Sequence, residues 1–404
     1  MDSRTVKTQT DLKFHNLSIV YDIMRSGERL TRVELAKRSG LSLSSITRIV
    51  ATLSKFGMIK EETVLNPHRI GRPVLMLENC PSVCYCLCID VAVGSCKVAI
   101  VDLAQRISAY REIKLDVGSS FEHLIDSVSD ILPKLVSEAR TTVDKVLCCG
   151  ISVAGHVVAE DGIIANCDFY HWMNVSAKAI VEEKLGIPAL VENDCKAALT
   201  AEASLLQQNC TQGSDVAYVA FNKDGVGCAC MTNGVMLRGS RNAAGELGHV
   251  SAQMIDNIAQ GEHIGYFESQ ISQNAVIQQA KKIDPELNTM DAITNALESD
   301  DARLVPLMDK LGLYIAIAVN LINCMYNPDT IILNGALIFS NGRYLEAMQR
   351  MLDQTIFHEI QPELDIYLSK LGGNASLYGI AAIAIEYAVL AMMQNISLID
   401  NAKN

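Results

Sequence analysis

In the stretch Ile187-Pro188-Ala189-Leu190-Val191-Glu192-Asn193-Asp194-Cys195-Lys196-Ala197-Ala198-Leu199, an apolar run gives way to a helix-forming one. Residues 187–191 read as a short buried strand, and residues 197–206 combine strong helix formers with an apolar stripe. Glu192, Asn193 and Asp194 therefore fall on a strand-to-helix turn. In open α/β folds ligands bind at the carboxyl ends of strands. Asn and Asp are also among the best helix N-caps, so this stretch alone fits a cap as well as a ligand site.

Working outward, the same alternation continues on both sides. Apolar strands at 84–90 and 97–102 flank a turn, and a helix over 121–139, a strand over 146–152 and another near 162–164 lead to the Glu-Asn-Asp turn. Beyond it come a strand over 216–221, a loop over 222–227 with Gly225 and Gly227, and a strand over 228–232. Helices over 308–325 and 377–393 flank a strand over 329–335. The pattern predicts an α/β body of two lobes, 81–195 and 196–404, with the last helix packing back on the first lobe.

Residues 1–80 read differently. Helical apolar spacing over 14–25 stops at Ser26-Gly27; Thr31-Arg32-Val33-Glu34 is a capping box opening a second helix that closes at Ser39-Gly40; a third starts after Ser42. Ile46, Ile49, Val50 and Leu53 face inward on the third helix, and Ser44, Arg48, Ala51 and Lys55 share its outer face. This is a helix-turn-helix, in which Ser42, Ser44, Ser45, Thr47 and Arg48 would meet a DNA major groove. Two strands follow with Arg69-Ile70-Gly71-Arg72-Pro73 at the hairpin tip. Gly71 keeps that tip slim, so Arg69 and Arg72 are candidates for DNA contact, Arg72 in the minor groove.

Charge supports the division. Residues 1–80 hold 13 Lys+Arg against 8 Asp+Glu, whereas the remainder holds 21 against 38. A basic head on an acidic body suits a polyanion partner for the head. The 13 cysteines have no disulfide-framework spacing and several lie inside apolar runs, which suits reduced, buried thiols. Cys84, Cys86 and Cys88 alternate on one face of a strand, but no histidine flanks them for metal binding. No apolar run is long enough to cross a membrane without interruption, and Met1-Asp2-Ser3-Arg4 has no apolar leader, so a cytoplasmic protein with no membrane partner is expected.

Ala244-Gly245-Glu246-Leu247-Gly248-His249 and Gly265-Tyr266-Phe267-Glu268, taken with Glu192-Asn193-Asp194 and the Asp-led strand at Ile89-Asp90, occur in an order and spacing that resembles the ROK family. That family contains bacterial sugar kinases and sugar-responsive transcriptional regulators. The head, including its Gly-Arg-Pro tip, is similar to the regulator branch of the xylose and N-acetylglucosamine repressor type. The resemblance spans essentially the whole chain. It implies a winged helix-turn-helix followed by a two-lobed, actin-like (ribonuclease H-like) sugar-kinase fold, and it assigns sugar hydroxyls to Asn193, Asp194, Glu246, His249 and Glu268. That set suits a polyol, since carboxylates accept while Asn and His both donate and accept.

The same resemblance marks departures. The family's kinases carry Asp-x-Gly-Gly-Thr in the first phosphate loop; here the stretch reads Asp90-Val91-Ala92-Val93-Gly94, with a β-branched Val93 where backbone should approach phosphate. Lys223 and Ala229 replace glycines of the second loop. The family's structural zinc is held by the His of Gly-His and three cysteines, whose positions counted from His249 are Ala259, Gly261 and Tyr266. Without them the segment from Gly248 to Glu268 would rest on packing of Ile255, Ile258, Ile264, Tyr266 and Phe267.

The expectation is therefore a homodimeric, or dimer-of-dimers, DNA-binding regulator, a repressor. It would bind double-stranded operator DNA, sense a sugar or sugar derivative between its lobes, and hold neither zinc nor ATP. The alternatives are an ATP-dependent sugar kinase with Asp194 as its base, and a DNA-binding protein whose body is a ligand-free dimerisation scaffold.

Overall fold

A computed structural model describes residues 9–25, 27–64, 74–207, 215–251, 267–335, 343–355 and 364–401. The head consists of α1 (Gln9–Arg25), α2 (Arg32–Ser39), α3 (Leu43–Lys55) and the hairpin β1 (Ile59–Val64) and β2 (Val74–Asn79). Thr31 caps α2 in a full capping box with Glu34, whose carboxyl is held below its ordinary value by the Thr31 backbone and hydroxyl hydrogen bonds. Ser42 caps α3 by accepting from the Ser45 N–H at 3.2 Å. β1 and β2 pair from Ile59 opposite Asn79 to Val64 opposite Val74, and Leu30 bridges to Leu77 on the free edge. The tip residues Arg69, Gly71 and Arg72 lie outside the described residues.

The body follows with β3 (Tyr85–Ala92), β4 (Ser95–Asp102), β5 (Ile107–Lys114), α4 (Phe121–Glu138) and β6 (Val146–Val153). Then come β7 (His156–Val158), β8 (Ile163–Cys167), β9 (Trp172–Val175), α5 (Ala177–Leu185), β10 (Ala189–Asn193) and α6 (Asp194–Gln207). The second lobe comprises β11 (Val216–Phe221), β12 (Val226–Thr232), β13 (Val235–Met236), α7 (Phe267–Ile271), α8 (Gln273–Ile283), α9 (Met290–Glu298) and α10 (Val305–Tyr326), and continues with β14 (Thr330–Gly335), α11 (Arg343–Thr355), β15 (Asp365–Leu368) and α12 (Ala375–Asn401).

One topology occurs twice. The first sheet runs β10-β6-β3-β4-β5 and the second β15-β14-β11-β12-β13; in each, a three-stranded antiparallel meander is extended by two parallel strands. β7, β8 and β9 form a small antiparallel sheet beside the first.

α12 ties these parts together. Its Ile380, Ala384 and Ala388 share a buried cluster with Cys86, Cys88, Ala99, Val101 and Cys148 of the first sheet, and Val389 and Met393 join Leu17, Val20, Tyr21 and Met24 of α1 in the same cluster. Head and body thus have a continuous apolar core. α12 also crosses α6 at Gly379, where a Cβ would come 1.7 Å from the Ala197 carbonyl oxygen, so only glycine permits this approach. Burial pushes the Cys84 thiol up to about 12.

One expectation is corrected. Ala302–Tyr326 and Gly372–Asn395 are long and apolar enough to cross a membrane, with mean hydropathy 1.6 and 1.7. Both contribute to interior packing: α10 in the second-lobe core, and α12 in the core shared with α1. A helix packed on several sides is apolar around most of its circumference.

Candidate functional site

β10 ends at Asn193 and α6 begins at Asp194, which places the Glu-Asn-Asp turn at the mouth of the interlobe cleft. The three side chains take different tasks. Glu192 is buried and receives a two-pronged contact from Arg238, Nη1 at 3.2 Å and Nη2 at 2.6 Å; its Oε1 also accepts from the Asn193 N–H. Arg238 follows β13, so this fork joins the two lobes. Asn193 caps α6, with Oδ1 accepting from the Lys196 N–H at 3.1 Å and Nδ2 donating to the Gly155 carbonyl and Asp194 Oδ1. Cap and site residue are thus the same residue, and its amide donors are already engaged.

Asp194 keeps more capacity. Oδ1 accepts from the Cys195 N–H at 2.8 Å, whereas Oδ2 takes a longer contact of 3.3 Å from Asn222 Nδ2. Dehydration, followed by the negative charge of Asp90 and that of Glu246, pushes its carboxyl up to about 6.

Asn193, Asp194, Glu246, His249 and Glu268 all line one cavity of about 400 Å3 between the lobes. Glu246 and His249 lie on one turn, with His249 Nε2 3.7 Å from Glu246 Oε2. Glu268 is carried by α7, whose first residue, Phe267, is fully buried, packs edge-on against Tyr314 and donates its N–H to the Val250 carbonyl. Ile255, Ile258, Ala259, Gly261, Ile264 and Tyr266 lie outside the described residues. The cavity also takes in Asn166, Asp168, His156, Lys196 and Asp224, which the sequence did not single out. Of these, Lys196 had a visible signal: two residues past Asp194, in an otherwise apolar helix start. Its buried ammonium donates to the Asn242 carbonyl, and His156 meets the Arg241 carbonyl at 2.7 Å. His156 and Arg238 thus clasp to the first lobe the loop that delivers Glu246, and Lys196 ties the same loop to α6.

The neighbouring cavity, about 230 Å3, adjoins the turn between β3 and β4 and shares Val93, Asp194 and Asn222 with the first. Two donors beside this turn, the Gly94 N–H and the Lys97 ammonium, are engaged by the protein itself. β3 and β4 are joined by Val93-Gly94 with Ala92 opposite Ser95. The Tyr170 hydroxyl spans this turn, accepting from the Gly94 N–H at 2.9 Å and donating to the Ala92 carbonyl at 2.6 Å. Tyr170 is itself buried and stacked on Trp172. Lys97 donates to the Gly373 carbonyl and to Asn374 Oδ1, and lies 3.8 Å from Asp90 Oδ2. Ser152 donates to Asp90 Oδ1 at 2.8 Å, and burial raises the Asp90 carboxyl against the hydrogen bonds from Ser376 and Ser152 and the charge of Lys97.

The positive φ falls on Gly94, at +83°, and not on Val93, so Val93 causes no backbone strain. What Val93 does is place an apolar side chain at the wall shared by the two cavities.

In the head, Ser44, Thr47 and Arg48 are exposed along α3, while Ser42 and Ser45 are tied to each other by the cap, their hydroxyls 2.9 Å apart. Arg29, Arg32, Arg38 and Lys60 are paired with carboxylates of the head. Among the described residues of the head, Arg25, Lys37, Arg48 and Lys55 have no ion pair, and three of these four lie on α2 and α3.

The chain is similar to the xylose repressor of Caldicellulosiruptor bescii, 24% identical over 93% of this chain and 97% of that one. Among solved structures it resembles a ROK-family transcriptional regulator homologous to the Escherichia coli Mlc protein (TM-score 0.78, 21% identity, 95% of this chain and 99% of that one). It also resembles a ROK-family glucokinase from Streptomyces griseus in complex with glucose and AMPPNP (TM-score 0.62, 20% identity, 75% of this chain and 99% of that one). The kinase match covers about as much of the chain as a body without the head would. The ROK family pattern itself matches residues 86–387, and the chain belongs to the ROK family.

Proposed function

We propose that this chain is a sugar-sensing, DNA-binding transcriptional repressor that does not phosphorylate its ligand. The observation that carries this reading is the contrast within one cleft: Asp194, Glu246, His249 and Glu268 line a cavity on one side, while Tyr170 and Lys97 close the phosphate loop on the other. In front of it stands a helix-turn-helix with an exposed Arg48. The head acts as a dimer on a two-fold operator, because one recognition helix covers a half-site. α12 starts at the turn that receives Lys97 and ends against α1, so a lobe rotation selected by a sugar reaches the head along one helix. The body carries no structural zinc; metal analysis of protein purified without added metal should find far less than one zinc per chain.

The relatives named xylose repressors make xylose the first sugar to test. DNA selected from a random pool should be bound by the full-length protein with an affinity that changes at least fivefold on adding an effector sugar. DNA affinity indifferent to every sugar tried would favour a dimerisation scaffold.

A second reading has one observation in its favour: a carboxyl at about 6 is suited to act as a general base toward a sugar hydroxyl. Sugar-dependent ATP turnover that is lost in Asp194→Asn would establish a kinase.

A further inference from the structure

The sugar cavity continues past Glu268. Asp224 and Glu268 belong both to its wall and to that of an open groove of about 550 Å3 formed by α7, α8 and Lys310 of α10. Small-molecule pockets span roughly 300–1,000 Å3. The cavity alone lies near the lower end of that range, and the groove more than doubles the space.

Part of the groove is fixed framework. Gln279 donates to the Gln270 and Ala275 carbonyls and accepts from Lys310 Nζ at 2.7 Å, and Asn274 donates to Asp224. These bonds hold α8 against α7 and the Asn222–Gly225 loop. Glu268, Gln278 and Lys282, by contrast, have no side-chain hydrogen bond or ion pair among the described residues. A carboxylate, an amide and an ammonium in one groove offer both acceptors and donors, the mixture a ring of hydroxyls requires. Charge is balanced, Asp224 and Glu268 against Lys282 and Lys310. A groove with no excess of positive charge gives a phosphate or uronate no electrostatic advantage, so the fit is to a neutral ring.

We infer that this groove is a second sugar subsite and that the effector is a neutral disaccharide, one ring in the interlobe cavity and the other between Glu268 and Lys282. The inference rests on the sugar-sensing reading proposed above. Glu268 stands at the junction, where it can accept from hydroxyls of both rings.

Calorimetric titration of the full-length protein tests it, using xylose and xylobiose, glucose and cellobiose, glucose and maltose, and glucose 6-phosphate. At least one disaccharide should bind tenfold or more tightly than its own monosaccharide. Gln278→Ala and Lys282→Ala, both at exposed positions, should each reduce that advantage threefold or more and leave monosaccharide affinity unchanged. The subsite is overturned if no disaccharide exceeds its monosaccharide, if the advantage survives both substitutions, or if glucose 6-phosphate binds more tightly than every disaccharide. Absence of binding by every sugar would instead overturn the sugar-sensing reading, and the subsite with it.

Discussion

The two sides of Asp194 are built from similar residue types and have opposite capacities. Toward Glu246 and Glu268 the wall offers acceptors with room beside them; toward Gly94 and Lys97 the donors are closed onto the protein itself. Lys97 would suit a phosphate by charge, yet the Gly373 carbonyl and Asn374 already hold it. The Gly94 N–H would suit one by geometry, yet the Tyr170 hydroxyl caps it. Whether a residue can bind a ligand depends on what it already holds, and residue identity alone does not reveal that.

The largest expected effect comes from removing the acceptor at the centre. Asp194→Asn replaces a charged acceptor by a neutral one, and a hydrogen bond to a charged group contributes about 1.5–3 kcal/mol. Sugar affinity should therefore fall roughly 10- to 150-fold, while affinity for selected DNA without sugar stays within twofold. Equal loss of both would mean that the cleft and the head are not separable.

The head provides the second contrast. Arg48 is exposed and has no ion pair among the described residues, whereas Arg29 is held by Glu62 and Glu78. Arg48→Ala should cost about 1–3 kcal/mol of specific DNA binding, roughly five- to 150-fold, with Tm unchanged. Arg72→Ala should weaken binding in the same direction. Unchanged affinity in both variants would remove the groove assignment.

A smaller, graded effect follows from the Asp194 carboxyl. Its ordinary value of 3.8 is raised to about 6 in the folded chain. Between those values the folded state holds a proton that the unfolded chain has released, so this group's contribution makes the fold more stable as pH falls from 6 toward 4. Sugar binding has the opposite sign, because a hydroxyl donates to the carboxylate and not to the acid. Affinity should fall as pH drops through 6, approaching about tenfold per unit below it. The trend should vanish in Asp194→Asn; persistence there would assign it to another group.

The chain's local chemistry made part of this legible. Thr31-x-x-Glu34, Gly40 and Ser42 fix the helices of the head through contacts within a few residues. The strand-to-helix turn at 192–194 is equally local. Order and spacing carried Glu246, His249 and Glu268 to the same cavity, although Glu268 is 74 positions from Asp194. Contacts made by the folding of one sheet over another were not legible. Tyr170 reaches Ala92 across 78 positions through the small β7-β8-β9 sheet, and Arg238 reaches Glu192 across 46. No periodicity encodes either. α12 is apolar for the converse reason: a helix packed against a sheet, α6 and α1 has little of its circumference left for a polar stripe.

The smallest expected effect is also the sharpest test of the contrast across the cleft. The sequence reading expects a weakened phosphate site from Ala92 and Val93 in the first loop together with Lys223 and Ala229 in the second; if the first-loop side chains decide, Ala92→Gly with Val93→Gly restores nucleotide binding. The structure gives a different expectation. Removing those side chains widens the wall shared by the two cavities, but Gly94 N–H still donates to Tyr170, and Lys97 still bridges to Gly373 and Asn374. A phosphate would have to displace these bonds and lie near the buried Asp90, at a cost comparable to the gain from binding. The double glycine variant should therefore show no Tm shift at millimolar MgATP, as should the parent. Adding Tyr170→Phe frees the Gly94 donor and should give the first measurable shift. A glycine pair that binds ATP without the tyrosine change would show that the side chains, and not the engaged donors, keep the nucleotide out.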